Sequence, residues 1–232
     1  MDFLPVPEPE AIAGHFCNAL RSSVREEQPY RHWTLARTLP DELCVGVLVL
    51  PICPPSIDEC GGVRDLHDNN QKRSFFTPRL QADFPFVAAF TKAFQMPVVA
   101  RQFVETLGRD VTDIEGSYLR IEYIQDTNGA WLQPHCDIVE KLFSMVVYLC
   151  TGPEAQNWGT DIYDGNQKWV GRSSATFNSA VIFVPGKNTW HGFEKRPIVG
   201  VRRLMEINYV RPSWRDREQL SYPDRPITLL NK

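Results

Sequence analysis

The stretch "VPGKNTWHGFEKRPIVGVRRLMEINYV", residues 184–210, decides how the second half of this chain is read. It opens on a Pro-Gly pair that suits a type II turn and closes on "VRRLMEINYV", a short run rich in β-branched and aromatic residues. Outward from it lie runs of the same kind: "SYLRIEYI" (117–124), "FSMVVYLC" (143–150), "GTDIYD" (159–164) and "SAVIFVP" (179–185). Turn signals separate them, "NG" at 128–129 and "DGN" at 164–166. Many short strands at this spacing predict a β-sandwich or jelly-roll barrel.

The first half changes period. In "PEAIAGHFCNALRSSV", Ile12, Phe16 and Leu20 fall four apart, on one helical face. "LPDELCVGVLVLP" predicts a short helix entered near Pro40 and stopped by Pro51. "LQADFPFVAAFTKAFQ" places Val87, Phe90 and Phe94 on one face, and "PVVARQFVETLG" sets Pro97 at a first helical position with Gly108 past the end. Between them "CPPSIDECGGVRDLHDNNQKRS" reads as a loop, and "NNQKRSFF" (69–76) has the composition of a lid over a site. The organisation expected is one domain: a mainly helical part over 1–115, a strand-rich core over 116–212, and a polar, partly mobile tail over 213–232.

Bulk composition narrows the function classes. With 43% hydrophobic residues, 23% charged residues and a net charge of −3, the chain has the balance of a soluble globular protein and not of a nucleic-acid binder. Its apolar runs are too short to span a bilayer, and "MDFLPVPEPE" lacks the basic start and apolar stretch of a signal peptide, so a cytoplasmic protein is expected. The six cysteines form no C-x-x-C pair, and most are expected as free thiols. Cys53 and Cys60 bracket "PPSIDE" like a zinc half-site, but no second pair completes it.

The chemistry gathers around "WLQPHCDIVEK" (131–141). In an extended segment His135 and Asp137 project to one side and Cys136 to the other. An imidazole and a carboxylate on one face suit a divalent metal of intermediate hardness, such as iron. The pair alone is weak evidence, since a chain of this composition holds about 0.6 such triplets by chance. His15, His32 and His67 lie in the helical half, whereas His191 follows the Pro-Gly turn at the start of another strand. A barrel can set that strand beside the one carrying His135, giving two histidines and one carboxylate on one face of a metal, the facial triad of non-haem iron oxygenases. Arg202, eleven residues after His191, is expected on a strand returning alongside it. An arginine buried in a barrel needs an anion, and a guanidinium grips a carboxylate through two parallel hydrogen bonds. Strand alternation turns only one of Arg202 and Arg203 inward; apolar Leu204 shares Arg202's face and favours Arg202, and a bulge would exchange them. Trp131 and Gln133 share the parity of His135 and are candidates for a substrate wall, as is Arg73 in the lid-like loop. Lys141 either reaches an anionic group or points to water.

With these residues in place, the second half resembles the Fe(II)/2-oxoglutarate-dependent oxygenases, and within them the prolyl-hydroxylase-like branch and its bacterial small-molecule hydroxylases. The resemblance is carried by "YLRIEYIQDTNGAWLQPHCDIVEKLFSMVVYLC", "WGTDIYD" and "VPGKNTWHGFEKRPIVGVRR", with "QPYRHWTLARTLPDEL" like the entry segment of such enzymes. It implies an α+β fold: a double-stranded β-helix (jelly-roll, cupin-like) core with the N-terminal helices packed on one face. It implies that His135, Asp137 and His191 ligate Fe(II), that Arg202 after Gly200 pairs with the distal carboxylate of 2-oxoglutarate, that Tyr148 in "VVYL" hydrogen-bonds the same carboxylate, and that Tyr123 in "RIEY" lines the cosubstrate pocket. Both tyrosines also fit as core residues with a satisfied hydroxyl. Relatives often carry a hydroxyl residue two after the arginine, where this chain has Leu204. The activity implied is hydroxylation, desaturation or cyclisation at an unactivated C–H bond with O2 as oxidant and release of succinate and CO2. The presence of Asp137 argues against halogenation, since halogenating relatives carry a small residue there. The substrate expected is a small molecule, in a biosynthetic pathway. The alternatives are a protein side-chain (prolyl-type) hydroxylase, a cupin-like metalloenzyme that does not use 2-oxoglutarate, and a non-catalytic jelly-roll binding module.

Overall fold

The computed structural model describes residues 5–55, 62–63, 73–108, 111 and 113–230. Five helices, α1 (Pro9–Arg21), α2 (Asp41–Leu48), α3 (Pro78–Asp83), α4 (Pro85–Phe94) and α5 (Pro97–Leu107), form one layer. Ile12, Phe16 and Leu20 of α1 and Val87, Phe90 and Phe94 of α4 are all fully buried, as their spacing predicts. The run 80–95 is divided between two helices. Pro85 has no N–H to donate and disfavours a helical residue before it, so Phe84 is extended at φ −134°, ψ 109° and the axis breaks there.

The strands are β1 (Val24–Glu26), β2 (His32–Leu35), β3 (Arg73–Phe75), β4 (Tyr118–Asp126), β5 (Leu132–His135), β6 (Ser144–Tyr148), β7 (Asp161–Tyr163), β8 (Trp169–Arg172), β9 (Ser179–Phe183), β10 (His191–Phe193) and β11 (Arg202–Val210). They make a seven-stranded sheet in the order β1-β2-β9-β6-β11-β4-β3 and a four-stranded sheet in the order β5-β10-β7-β8, with antiparallel pairing in both. This is the double-stranded β-helix expected. Two expectations need correction. The first half is not helices and loops alone, because β1, β2 and β3 join the large sheet. The strand of Arg202 does not return beside that of His191: β11 lies between β6 and β4 in the large sheet, and β10 lies between β5 and β7 in the small one.

Alternation along the large sheet sorts its side chains into two buried sets. Leu119, Ile121 and Tyr123 of β4, Met145 and Val147 of β6, Ala180 and Ile182 of β9, and Met205, Ile207 and Tyr209 of β11 join the helices in one core. The opposite parity, Ile124, Tyr148, Val181 and Leu204, packs with Ala130, Trp158, Phe193 and Ile198 between the sheets. On that inner face β4 and β11 also carry Arg120, Glu122, Arg202, Glu206 and Asn208, every one buried. The tail packs against the body over its described part. Leu220 and Ile227 are buried, and Ile227 exchanges backbone hydrogen bonds with Gly116 and Ser117.

Candidate metal centre and its cavity

β5 and β10 pair in a register that sets His135 opposite His191, with ring centroids 4.3 Å apart. β5 is an edge strand of the small sheet. The close approach of β10 to β5 requires Gly192: a Cβ there would stand 2.7 Å from the Leu132 carbonyl oxygen. His135 donates from Nδ1 to the Gln133 carbonyl at 3.0 Å, and His191 from Nδ1 to that of Thr189 at 2.9 Å. Each bond fixes the tautomer that leaves Nε2 as a bare acceptor, the form a metal takes. Asp137 follows just past the strand end, and its Oδ2 lies 3.8 Å from Nε2 of His191. One ligand atom from each of His135, Asp137 and His191 falls within 4.8 Å of the others. Cys136 turns away, as parity predicts, and its thiol reaches the Lys187 carbonyl at 3.6 Å.

The electrostatics suit a cation. Burial alone would push the Asp137 carboxyl up; the Lys141 ammonium and then His191 outweigh it and hold the group at about 2. Burial pushes His191 below its ordinary value against the pull of Asp137, which favours the neutral imidazole. Lys141 Nζ lies 2.9 Å from Asp137 Oδ1, and Ser144 Oγ donates to Oδ2 at 2.5 Å. Two imidazoles with Nδ1 committed to carbonyls and one largely buried carboxylate fit a divalent ion of intermediate hardness such as Fe(II).

Arg202 faces the same cavity from the large sheet. Its Nε donates to the Trp158 carbonyl at 2.7 Å, Nη1 pairs with Asp126, and the guanidinium lies 4.0 Å over the Phe193 ring. Arg203 points the other way, toward Gln125. Alternation therefore resolves the pair in favour of Arg202, whose neighbour on the inner face is Leu204 as expected. Beside Arg202 the cavity is lined by Thr160, whose hydroxyl is 2.6 Å from that of Tyr148; Ser173 Oγ meets the same phenol at 2.7 Å.

The remaining expected residues divide. Trp131 and Arg73 line the cavity. Trp131 packs against Gly62, where a Cβ would lie 2.2 Å from the indole, and Arg73 pairs with Glu122 at 2.9 Å. Gln133 is not among the lining residues; it borders a shallower outer groove with Tyr163 and Lys195. Tyr148 stands behind Thr160 and is not itself a lining residue. Tyr123 lies on the other face of β4, in the helix-side core beside Arg203, because its parity is that of Leu119 and Ile121. Residues 69–72 of the lid-like segment, Cys60 of the suggested zinc half-site, and His67 lie outside the described residues. Among the described residues no helix is long and apolar enough to cross a membrane. Reading the sequence missed Asp126 and Thr160. Asp126 carries a signal, since it shares the inward parity of Arg120, Glu122 and Ile124; Thr160 carries none.

No family model and no curated protein matches the sequence. Solved structures share its fold. A prolyl-4-hydroxylase from Pseudomonas putida aligns with a TM-score of 0.54 at 12% identity, over 87% of this chain and 100% of that one. A prolyl hydroxylase from Trichoplax adhaerens, in complex with a hypoxia inducible factor oxygen degradation domain peptide fragment, aligns at 0.56 and 11%, over 85% and 88%. An oxidoreductase of the 2OG-Fe(II) oxygenase family from Burkholderia pseudomallei aligns at 0.52 and 12%, over 86% and 90%.

Proposed function

We propose that this chain is an Fe(II)- and 2-oxoglutarate-dependent oxygenase that hydroxylates, desaturates or cyclises an unactivated C–H bond of a small molecule. The observation that carries the reading is the convergence on one cavity of the His135–Asp137–His191 cluster and the buried guanidinium of Arg202. The triad alone fits several metalloenzymes; a cupin-like enzyme without 2-oxoglutarate has no use for the arginine.

When bound, Fe(II), 2-oxoglutarate and O2 supply oxidation of the C–H bond, with succinate and CO2 as coproducts. The chain's part is binding, orientation and exclusion of water. His135 and His191 offer Nε2, and Asp137 offers one carboxylate oxygen. Arg202 receives the distal carboxylate of 2-oxoglutarate, with the Thr160 hydroxyl beside it in the place of the hydroxyl missing at Leu204. Tyr148 and Ser173 orient that hydroxyl from behind. Leu204, Phe183 and Phe193 keep the cavity wall apolar, and Trp131 and Arg73 border the space left for substrate.

The test is succinate release from 2-oxoglutarate under Fe(II) and O2, screened across small molecules and proline-containing peptides. Product formation that proceeds without 2-oxoglutarate would identify the cupin-like alternative. Tight Fe(II) binding with no turnover on any substrate would identify a binding module, and turnover on peptides alone a side-chain hydroxylase.

A further inference from the structure

We propose that Lys141 is a positioning residue that keeps the metal centre three-membered, by holding a fourth potential ligand, Glu206, away from it. The inference rests on the metal reading above. Glu206 projects from β11 into the same cavity as His135, Asp137 and His191 and is only 3% exposed. A carboxylate so placed is an oxygen donor of the kind a divalent ion takes. Yet Lys141 Nζ stands between it and the ligand, 2.5 Å from Glu206 Oε1 and 2.9 Å from Asp137 Oδ1.

The ammonium acts on both sides. Toward Asp137 it occupies Oδ1, so the carboxylate turns Oδ2, the oxygen that faces His191, to the metal position. Toward Glu206 it neutralises the charge and fixes the side chain. Asn208 assists, with Nδ2 3.3 Å from Glu206 Oε1 and 3.4 Å from Ser144 Oγ, and Ser144 returns to Asp137. The five side chains close a ring from ligand to would-be ligand and back. Lys141 enters it from the turn after Asp137, where its backbone bridges Val210 of β11. A second bound carboxylate would fill a coordination position that cosubstrate, O2 or substrate displacement requires, so the ring protects the open positions.

The experiment uses Mn(II), a redox-inert divalent probe, on the full chain. Affinity is measured by titration, and metal-bound waters are counted from water-proton relaxation. In Lys141→Met, Mn(II) is expected to bind about tenfold more tightly or better, because a positive charge is removed and a carboxylate released beside the ion. Fewer bound waters should accompany it. In Lys141→Met/Glu206→Gln the water count should return to the wild-type value. Should Lys141→Met fail to fold once Glu206 loses the ammonium, Lys141→Gln takes its place with the same expectations, since its amide fills the space without the charge. Unchanged or weaker Mn(II) binding with an unchanged water count overturns the proposal, as does a double variant that keeps the reduced count. Wild-type protein that binds no Mn(II), or binds it equally well after His191→Ala, overturns the metal reading and this inference with it.

Discussion

Asp126→Asn should strengthen the binding of 2-oxoglutarate while weakening the protein that lacks it. Asp126 sits directly opposite Arg202 in the β4–β11 register, lines the cavity, and pairs with the guanidinium proposed to receive the cosubstrate. Two carboxylates sharing one guanidinium lie roughly 5 Å apart, and at an effective dielectric near 20 their repulsion is about 3 kcal/mol. Asp126 is 22% exposed, so solvent screens part of this. About 1–2 kcal/mol remains, a gain of roughly 5–30-fold in affinity. The opposing effect falls on the unliganded state. Arg202 is 5% exposed and loses its anion, although the amide oxygen of asparagine still accepts a hydrogen bond. A loss of about 1–2 kcal/mol lowers Tm by roughly 3–6 °C in a chain of this size. The assay is anaerobic calorimetry of 2-oxoglutarate into Mn(II)-loaded protein, paired with thermal melts with and without the cosubstrate. Affinity that is unchanged or weaker in Asp126→Asn would refute the reasoning, because Asp126 would then not compete for Arg202.

Arg202→Ala removes charge-assisted bonds of about 1.5–3 kcal/mol each, so half-saturation by 2-oxoglutarate should rise on the order of 100-fold or more in succinate-release assays; wild-type behaviour would show that the clamp lies elsewhere. With Asp137 in place, mass spectrometry of the wild-type product formed in excess chloride should reveal added oxygen or lost hydrogen, and a chlorinated product would sink that expectation. Gly192→Ala sets a Cβ 2.7 Å from the Leu132 carbonyl oxygen, forcing β10 away from β5 and His191 away from His135. Mn(II) titration should register at least about tenfold weaker binding, the loss expected when a ligand shifts out of place; unchanged affinity would mean that the two strands do not set the ligand spacing.

Much of this was legible because strand alternation is a local property. His135 and Asp137 fall on one side of their segment and Cys136 on the other, whatever the rest of the chain does. Leu204 identified Arg202 as the inward arginine by the same rule. The rule also bears on Tyr123, whose parity is that of Leu119 and Ile121 and not of Arg120 and Glu122; the polar residues of "YLRIEY" mark the cavity side of β4 and leave the tyrosine in the helix-side core. What alternation cannot give is which strands become neighbours. Asp126 meets Arg202 across 76 residues of chain, and Thr160 enters the cavity through the placement of β7 in the other sheet. β1, β2, β3 and β8 escaped notice because they are short. Two of them sit at sheet edges with largely exposed side chains, so little apolar periodicity marks them.

The polar residues of the inner face make the stronger argument for a site. Central strands buried on both sides are ordinarily apolar throughout, since each charge taken from water must be matched in place. β4 and β11 depart from this mainly on one face; the other carries only Gln125 and Arg203, at one end. Arg120 is saturated there by Gln219, Asn208 and Glu122 and stacked near the Phe75 and Trp214 rings. Glu122 also takes Arg73, Glu206 takes Lys141, and Arg202 takes Asp126. A fold selected for stability alone would fill these positions with well-packed apolar side chains, as it does along most of the helix side of the same two strands. Most of these departures form one network: Asn208 joins Arg120 to Glu206, Lys141 carries it on to Asp137, and Glu122 joins Arg73, while the Arg202–Asp126 pair faces the same cavity. Their arrangement in space, more than the identity of any one residue, is what argues for a working active site.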